Sequence, residues 1–380
     1  MRELNLLGAG SLAWIDRPTP TLEFPTDAVV RPFVMSRCDG DVLPIHNRVS
    51  RAMQAGLRTG LIDPAVGHIC GARPFQSPFA VGHECVAEVV EIGADVTDLR
   101  IGDQVVVPWS VSCGQCAACR RGLTSKCTTT RATAGGESTL AAYGFGPSSG
   151  TYGGMVSDLI RVPHADHMLV PLPAGLDPLR VAAASDNLSD GWRTVVPHLA
   201  AHPGASVLVV GGGAQSIGLY AAGLAVAHGA GTVDFLDSSS RRRRIAEDFG
   251  ARAFERSPKS TDPRGTYDIV VEASSSTAGL RYAIRSVAPG GICTAVGYYV
   301  RTNTGTPLMH MYATDITLKI GVSHPRAVLP EVLEWIHRND FPAERVTSLL
   351  ANFDDAPRAY AEKTTKLVLH RDPLSTPATG

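Results

Sequence analysis

The 380-residue chain has no surplus of charge of either sign: 35 Lys and Arg stand against 36 Asp and Glu, a formal net charge of −1. A general binder of nucleic acid or of another polyanion normally carries a basic excess, so no nucleic-acid partner is expected. No run approaches the roughly 18 apolar residues of a membrane-crossing helix, so no membrane partner is expected either. The N-terminal apolar stretch is short, interrupted by Gly8 and Gly10, and flanked by Glu3 and Asp16. That is not the pattern of a secretory signal, and a cytoplasmic protein is expected. The 38 Gly and 26 Pro are too few and too scattered for a fibrous or disordered chain, and there is no internal repeat or low-complexity tract. A disulfide framework is missing as well. Of the eight cysteines, four crowd into Cys113–Cys127, while Cys38, Cys70, Cys85 and Cys293 are scattered. In a cytosolic chain such crowding points to a metal.

What is present is a chain long enough for two or three domains, 44% hydrophobic, able to bury a full core without staples. Up to about Pro178 the pattern is short strands between Gly/Pro turns, such as Val86–Ile92 and Gln104–Pro108, which predicts an irregular β-rich domain. From about Ala201 to Val322 strands alternate with helix-length segments. The runs Ser206–Val210, Thr232–Asp237, Tyr267–Ser274 and Gly291–Tyr298 are continuous and β-branched, as in parallel strands buried on both faces. This βαβ alternation predicts an α/β doubly wound sheet. The remainder, from about Ser323, contains a helix over Val328–Arg338, a short strand over Lys366–Leu369, and a tail expected to fray.

The strongest single motif is Cys113-x2-Cys116-x2-Cys119-x7-Cys127. Four thiolates at this spacing can close a tetrahedral site with no position left for a substrate, the mark of a structural zinc. Arg120, Arg121 and Lys126 would offset the excess negative charge of four thiolates. An iron–sulfur cluster also takes four cysteines, but this spacing does not favour one.

This lobe, the Gly82-His83-Glu84 motif upstream and the βαβ half downstream together resemble the zinc-dependent medium-chain alcohol dehydrogenase family, over nearly the whole chain and in the right order. The resemblance implies a GroES-like catalytic domain over 1–187 and 323–380, carrying the zinc lobe at 113–127. It implies a Rossmann dinucleotide-binding domain over 188–322. It also implies a second, catalytic zinc. Cys38, His83 and Asp186 fall where similar proteins carry its ligands, and a thiolate, an imidazole and a carboxylate suit Zn2+ with one position open. Glu84 is a candidate fourth or transient ligand. Asp41 falls where similar proteins carry an Asp that hydrogen-bonds the ligating histidine and fixes its tautomer.

Three departures from the family's pattern stand out. Gly40 occupies the place of the Ser or Thr that passes the alcohol proton outward. Cys38 and His83 are 45 positions apart, about twice the usual separation. The extra segment, about His46–Arg73, is mildly amphipathic, with Val49, Met53, Leu57 and Leu61 at intervals of four, and reads as a lid, a subunit contact or a surface decoration. Finally, Asp190-Gly191-Trp192 replaces the usual Thr-Gly-aromatic, so Asp190 is a candidate for the proton relay and Trp192 for the substrate pocket.

After the Ser206–Val210 strand, Gly211-Gly212-Gly213-Ala214-Gln215-Ser216-Ile217-Gly218 reads as the phosphate-binding turn of a Rossmann unit, opening a helix. Gly213 and Gly218 fit the first and third glycines, whereas Gln215 stands at the second and brings a side chain toward the pyrophosphate. The backbone N–H groups of Ser216, Ile217 and Gly218 are expected to meet the phosphates. Asp237 lies 19 residues beyond Gly218, where a carboxylate binds both ribose hydroxyls of NAD and repels the 2′-phosphate of NADP. NAD is therefore favoured, although Arg241–Arg244 could also receive a phosphate. By resemblance, Arg242 touches the adenosine ribose, and Gly297 and Tyr298 lie by the nicotinamide. The expected protein holds two Zn2+ per chain and passes a hydride between an alcohol, or its aldehyde or ketone, and NAD(H). It takes a small-molecule substrate and forms a homodimer or homotetramer. The alternative is a non-catalytic or chemically diverged dinucleotide-binding zinc protein of the same fold, which Gly40 and Gln215 motivate.

Overall fold

The computed structural model describes residues 1–47, 49–71, 73–134, 137–146, 149–256 and 263–374. Residues 375–380, most of the tail read as frayed, lie outside them. The chain forms two compact units, Met1–Asp186 with His324–Gly380, and Asn187–Ser323. Among the described residues no helix is long and apolar enough to cross a membrane.

The first unit is built on a β-sheet whose strands run in the order Val170–Pro171, Gln104–Val107, Glu84–Ile92, Ala28–Ser36, Leu367–His370, Leu349–Asn352, with Ile160–Val162 added to Ala28–Ser36. The central pair, Ala28–Ser36 against Glu84–Ile92, is antiparallel and slips register at Val29/Val30 and Pro32/Val34. Pro32 has no N–H to give to a ladder, so an irregular register is where a strand tolerates it. A smaller sheet joins Arg2–Gly8 to Ser11–Asp16 and Phe79–Ala80. Leu4, Leu6, Met35, Tyr143, Met155 and Tyr360 belong to the shared apolar core.

The extra segment between Cys38 and His83 folds as a helix over Val49–Thr59, a 3-10 turn over Pro64–Val66 and a short helix over Gly67–Cys70. Met53 is buried and Leu57 half-buried, as the amphipathic pattern predicts. Leu61 is a correction: it follows the helix end and is 71% exposed, because Gly60 breaks the helical period before it.

The second unit contains a six-stranded sheet in the order Arg252–Glu255, Thr232–Asp237, Ser206–Val210, Tyr267–Glu272, Val287–Ala295, Thr317–Ile320, all parallel. This is the doubly wound arrangement read from the continuous apolar runs. Val207, Leu208, Val209 and Val210 have no exposed surface. The strand read as Gly291–Tyr298 spans Val287–Ala295 instead. Pro289-Gly290-Gly291 looks like a turn in sequence, but the strand runs through it by shifting register against Tyr267–Ile269.

One feature of the first unit is costly by itself. Lys366, on the Leu367–His370 side of the sheet, and Glu84, at the start of its strand, are both fully buried and form an ion pair. The ammonium also donates to the Arg37 carbonyl (3.0 Å), and Ser36 Oγ donates to the same Glu84 oxygen. Removing one member leaves a charge buried without its partner. Lys366→Met is therefore expected to cost about 3–5 kcal/mol, read as a lower urea midpoint, and adding Glu84→Leu is expected to recover part of that loss.

Candidate active site

Cys38 lies two residues past the strand Ala28–Ser36 and caps a short 3-10 turn, Asp39–Asp41, with Gly40 N–H donating to its sulfur (3.3 Å). His83 precedes the strand Glu84–Ile92, and Asp186 follows the small-residue run Ala182–Ser185. Three separate parts of the first unit thus deliver Cys38 Sγ, His83 Nε2 and an Asp186 carboxylate oxygen to one place, all within 4.8 Å of one another. Sγ lies 3.2 Å and Nε2 3.5 Å from Asp186 Oδ2. Such separations suit ligands about 2.0–2.3 Å from a shared tetrahedral centre.

The electrostatics also suit a cation. Burial opposes the Cys38 thiolate, and the charges of Asp186, Glu84 and Asp41 push its pKa well above the usual thiol range. Burial alone would hold His83 neutral, but Asp41, Asp186 and Glu84 outweigh it and raise its pKa to about 9. Without a cation the cluster therefore favours a thiol and an imidazolium; a dication at its centre would favour the thiolate and neutral imidazole that ligate metal.

Asp41 Oδ1 stands 3.6 Å from His83 Nδ1, beyond hydrogen-bond range, and that nitrogen has no hydrogen-bond partner among the described residues. The other Asp41 oxygen accepts from the Tyr360 hydroxyl at 2.8 Å. Glu84, read as a possible ligand, is outside the converging set and is engaged by Lys366 and Ser36. Gly40 lacks a side chain for no reason of space: a Cβ there would meet only Cys38 Sγ, at 3.7 Å. In the second unit, Asp190 is ion-paired with Arg193, and Trp192 is buried edge-on to His228. Sequence reasoning missed Lys366, Tyr360, and an aromatic cluster in which His83 meets Phe145 (4.9 Å between ring centroids) and Trp109 (6.3 Å). Lys366 had left one signal, a cation beside the apolar strand Leu367–Leu369.

The four lobe cysteines also converge within 4.8 Å, and none of the eight cysteines forms a disulfide. Cys116 and Cys127 sulfurs are 3.9 Å apart, near the ~3.8 Å expected across a tetrahedral zinc–thiolate site. Backbone N–H donors near Cys119 and Thr128 lower the Cys116 pKa to about 5, while burial and neighbouring sulfurs push Cys119 up to about 12. Four thiols this close cannot all ionise without a cation among them. The lobe is fastened by Ser125 N–H to His324 Nδ1 (3.1 Å) and by a bond between Ser112 Oγ and His167 Nε2 (2.9 Å).

In the second unit the glycine-rich turn follows Val210, and the helix begins at Gln215. A Cβ at Gly211 would lie 2.5 Å from an Asp237 carboxylate oxygen, so this crossing accepts only glycine. Gly218 is a correction: its N–H closes the first helical turn onto the Ala214 carbonyl (3.2 Å), as a fourth-position amide must. Ser216 and Ile217 lie in that first turn, with Ser216 Oγ donating to Asn187 Oδ1. Gln215 is drawn sideways, its carbonyl oxygen accepting from Arg242 Nη1 (2.9 Å). Asp237 has no exposed surface and is forked by Arg242 (2.8 and 2.6 Å), with Ser239 N–H donating a third bond (2.7 Å). Gly297 and Tyr298 follow the strand Val287–Ala295, and a Cβ at Gly297 would crowd Glu272 and Tyr299.

Residues 26–174 match the family model of the alcohol dehydrogenase GroES-like domain, and residues 216–338 that of the zinc-binding dehydrogenases. A probable zinc-binding alcohol dehydrogenase of Mycobacterium tuberculosis is 28% identical over 366 residues, covering 95% of this chain and 85% of its own. The solved alcohol dehydrogenase TADH from Thermus sp. ATN1 is 28% identical with a TM-score of 0.79, covering 97% of this chain and 99% of its own. At 20% identity and a TM-score of 0.73, 2R,3R-butanediol dehydrogenase from Bacillus subtilis shares the fold, over 98% of this chain and 99% of its own. With the motifs and topology that carry these matches, the chain belongs to the zinc-type alcohol dehydrogenases, oxidoreductases of the medium-chain dehydrogenase/reductase superfamily.

Proposed function

We propose that the chain passes a hydride between an alcohol, or its aldehyde or ketone, and NAD(H) at a catalytic zinc held by Cys38, His83 and Asp186, with a second, structural zinc in the Cys113–Cys127 lobe. The observation that carries this reading is the convergence of a thiol, an imidazole and a carboxylate in one buried cluster of a chain that also has a Rossmann turn. When bound, zinc supplies Lewis acidity that lowers the pKa of an alcohol or polarises a carbonyl. The chain's own residues do the rest. Tyr360 holds Asp41 near His83, where the carboxylate acts on the imidazole through its charge. Lys366 and Ser36 hold Glu84 close to the cluster, and the Lys366 charge opposes the burial that raises the carboxyl's pKa. Gly40 offers no hydroxyl, so the proton leaves by another route, for which Asp190 is the side-chain candidate. Asp237 with Arg242 forms the adenosine-ribose site, and Ser216 and Ile217 the phosphate site at the helix N-terminus. A homodimer or homotetramer in the cytoplasm is the expected form.

Elemental analysis is expected to give two zinc ions per chain. Cys38→Ala should leave one, remove turnover, and keep the fold, since the lobe is untouched. One ion per chain in the unaltered protein would favour the non-catalytic reading instead. NADH production across primary, secondary, aromatic and sugar alcohols tests the reaction directly.

The pH dependence has a definite sign. With its pKa raised to about 9 from an unfolded value near 6.5, His83 stabilises the metal-free fold fully below pH 6.5 and loses that contribution as pH rises through 9. A metal requires the neutral ring, so binding expels a proton. Zinc affinity of the Cys38 site, measured at fixed free zinc, should therefore rise steadily from pH 6.5 to 9. A flat profile would contradict His83 as a ligand.

Asp237→Gly removes the carboxylate and releases the Arg242 guanidinium. Fluorescence titration should show weaker NADH binding and tighter NADPH binding, and an unchanged ratio would refute the ribose role given to Asp237.

A further inference from the structure

The extra segment between Cys38 and His83 does not stand apart from the cluster. Two carbonyls of its last helix, Gly67–Cys70, are taken up by the chain that follows the zinc lobe: Leu140 N–H donates to His68 O (3.1 Å), and Ser149 Oγ donates to Ile69 O (3.3 Å). The same stretch is fastened on its other side by Tyr143 N–H to the Trp109 carbonyl (3.1 Å). It also lies hard against the residue before His83, since a Cβ on Gly144 would come within 2.5 Å of the Gly82 carbonyl oxygen. Between these fastenings sits Phe145, half-buried, with its ring centroid 4.9 Å from the His83 imidazole and 5.3 Å from Trp109. Trp109 is 4% exposed, so the accessible part of this aromatic cluster is Phe145.

We propose that Phe145 is a specificity-determining residue that selects alcohols or carbonyl compounds bearing a planar aromatic group, and that the 46–73 segment acts as its positioning element. The inference rests on the reading of Cys38, His83 and Asp186 as the reacting centre. A substrate at that centre lies beside the His83 ring, and its substituent meets the ring packed on His83. A saturated substituent gains only burial there. An aromatic one gains in addition the offset or edge-on ring contact, which favours it by up to about tenfold over a saturated group of the same size.

Benzyl alcohol and cyclohexylmethanol differ in ring aromaticity and little in size; the benzylic alcohol is also intrinsically the easier to oxidise, so the test reads the change that a substitution makes in their ratio. With zinc-loaded protein and NAD, kcat/KM for benzyl alcohol should exceed that for cyclohexylmethanol by about tenfold, chiefly through KM. Phe145→Leu, which keeps an apolar side chain, should lower the ratio by up to about tenfold, through KM, while zinc stays at two per chain. Ser149→Ala, which cuts the side-chain bond to the 46–73 segment and leaves Phe145 intact, should lower the ratio part of the way. A ratio unaffected by Phe145→Leu overturns the proposal, and a ratio unaffected by Ser149→Ala overturns the positioning role of the segment. If the unaltered protein oxidises no alcohol, the reaction assigned above fails. Ligand-observed NMR with the same two alcohols then decides this inference separately: preferential benzyl alcohol binding lost in Phe145→Leu sustains it, and equal binding overturns it.

Discussion

Buried negative charge is the constraint around which the first unit is organised. Asp41, Asp186 and Glu84 all bear on His83 and favour its charged form, and the same three carboxylates oppose the Cys38 thiolate. Coulomb interactions of this kind weaken little with salt when the groups are buried. Two buried cations answer part of the charge, Lys366 through Glu84 and Arg37 through its interaction with Asp41 and Cys38. The same logic holds in the lobe, where four thiols replace the carboxylates. In both places a bound cation would relieve the repulsion among the ionised groups, which is the physical link between metal affinity and stability.

The division of labour within the sheet follows from that constraint. The strands Ala28–Ser36, Glu84–Ile92 and Leu367–His370 are neighbours, and each brings one charged or ligating group to the same end: Cys38 just past the first, Glu84 at the start of the second, Lys366 just before the third. Position is thus set by backbone pairing rather than by loops, which holds ligand atoms more tightly than a surface loop would. The second unit uses the same economy at the end of its parallel strands, where Asp237, Arg242 and Gln215 lock together across the glycine turn.

Much of this was legible in the sequence, for physical reasons. Parallel strands covered on both faces must be continuous apolar runs, so Ser206–Val210 and Thr232–Asp237 announced themselves. Cysteine crowding announced the lobe, and Cys38, His83 and Asp186 were recognisable because each sat in a familiar local context. What escaped were relations between distant positions. Lys366 and Glu84 are 282 residues apart, and Tyr360 and Asp41 are 319 apart. No local pattern encodes such pairs. Phe145 was invisible for the same reason, since its meaning depends on which ring it touches. The strand read as Gly291–Tyr298 was placed too late because the apolar run starts only at Ile292, whereas the strand Val287–Ala295 takes in Pro-Gly-Gly through a register shift against its neighbour.

The bond from Ser125 to His324 carries a topological consequence. The first unit is written in two pieces of chain, and His324 is the residue at which the chain re-enters it. That residue is received by the cysteine lobe, and the helix it opens is further held by Arg326 on the His167 carbonyl and by Asp340 on Arg180. The lobe therefore serves as a clasp for an interrupted domain: it fastens the returning C-terminal piece to the body from which it was separated. The cysteine lobe thus has a structural part of its own, since without it the returning piece would share the sheet but lose the Ser125–His324 bond at its entry.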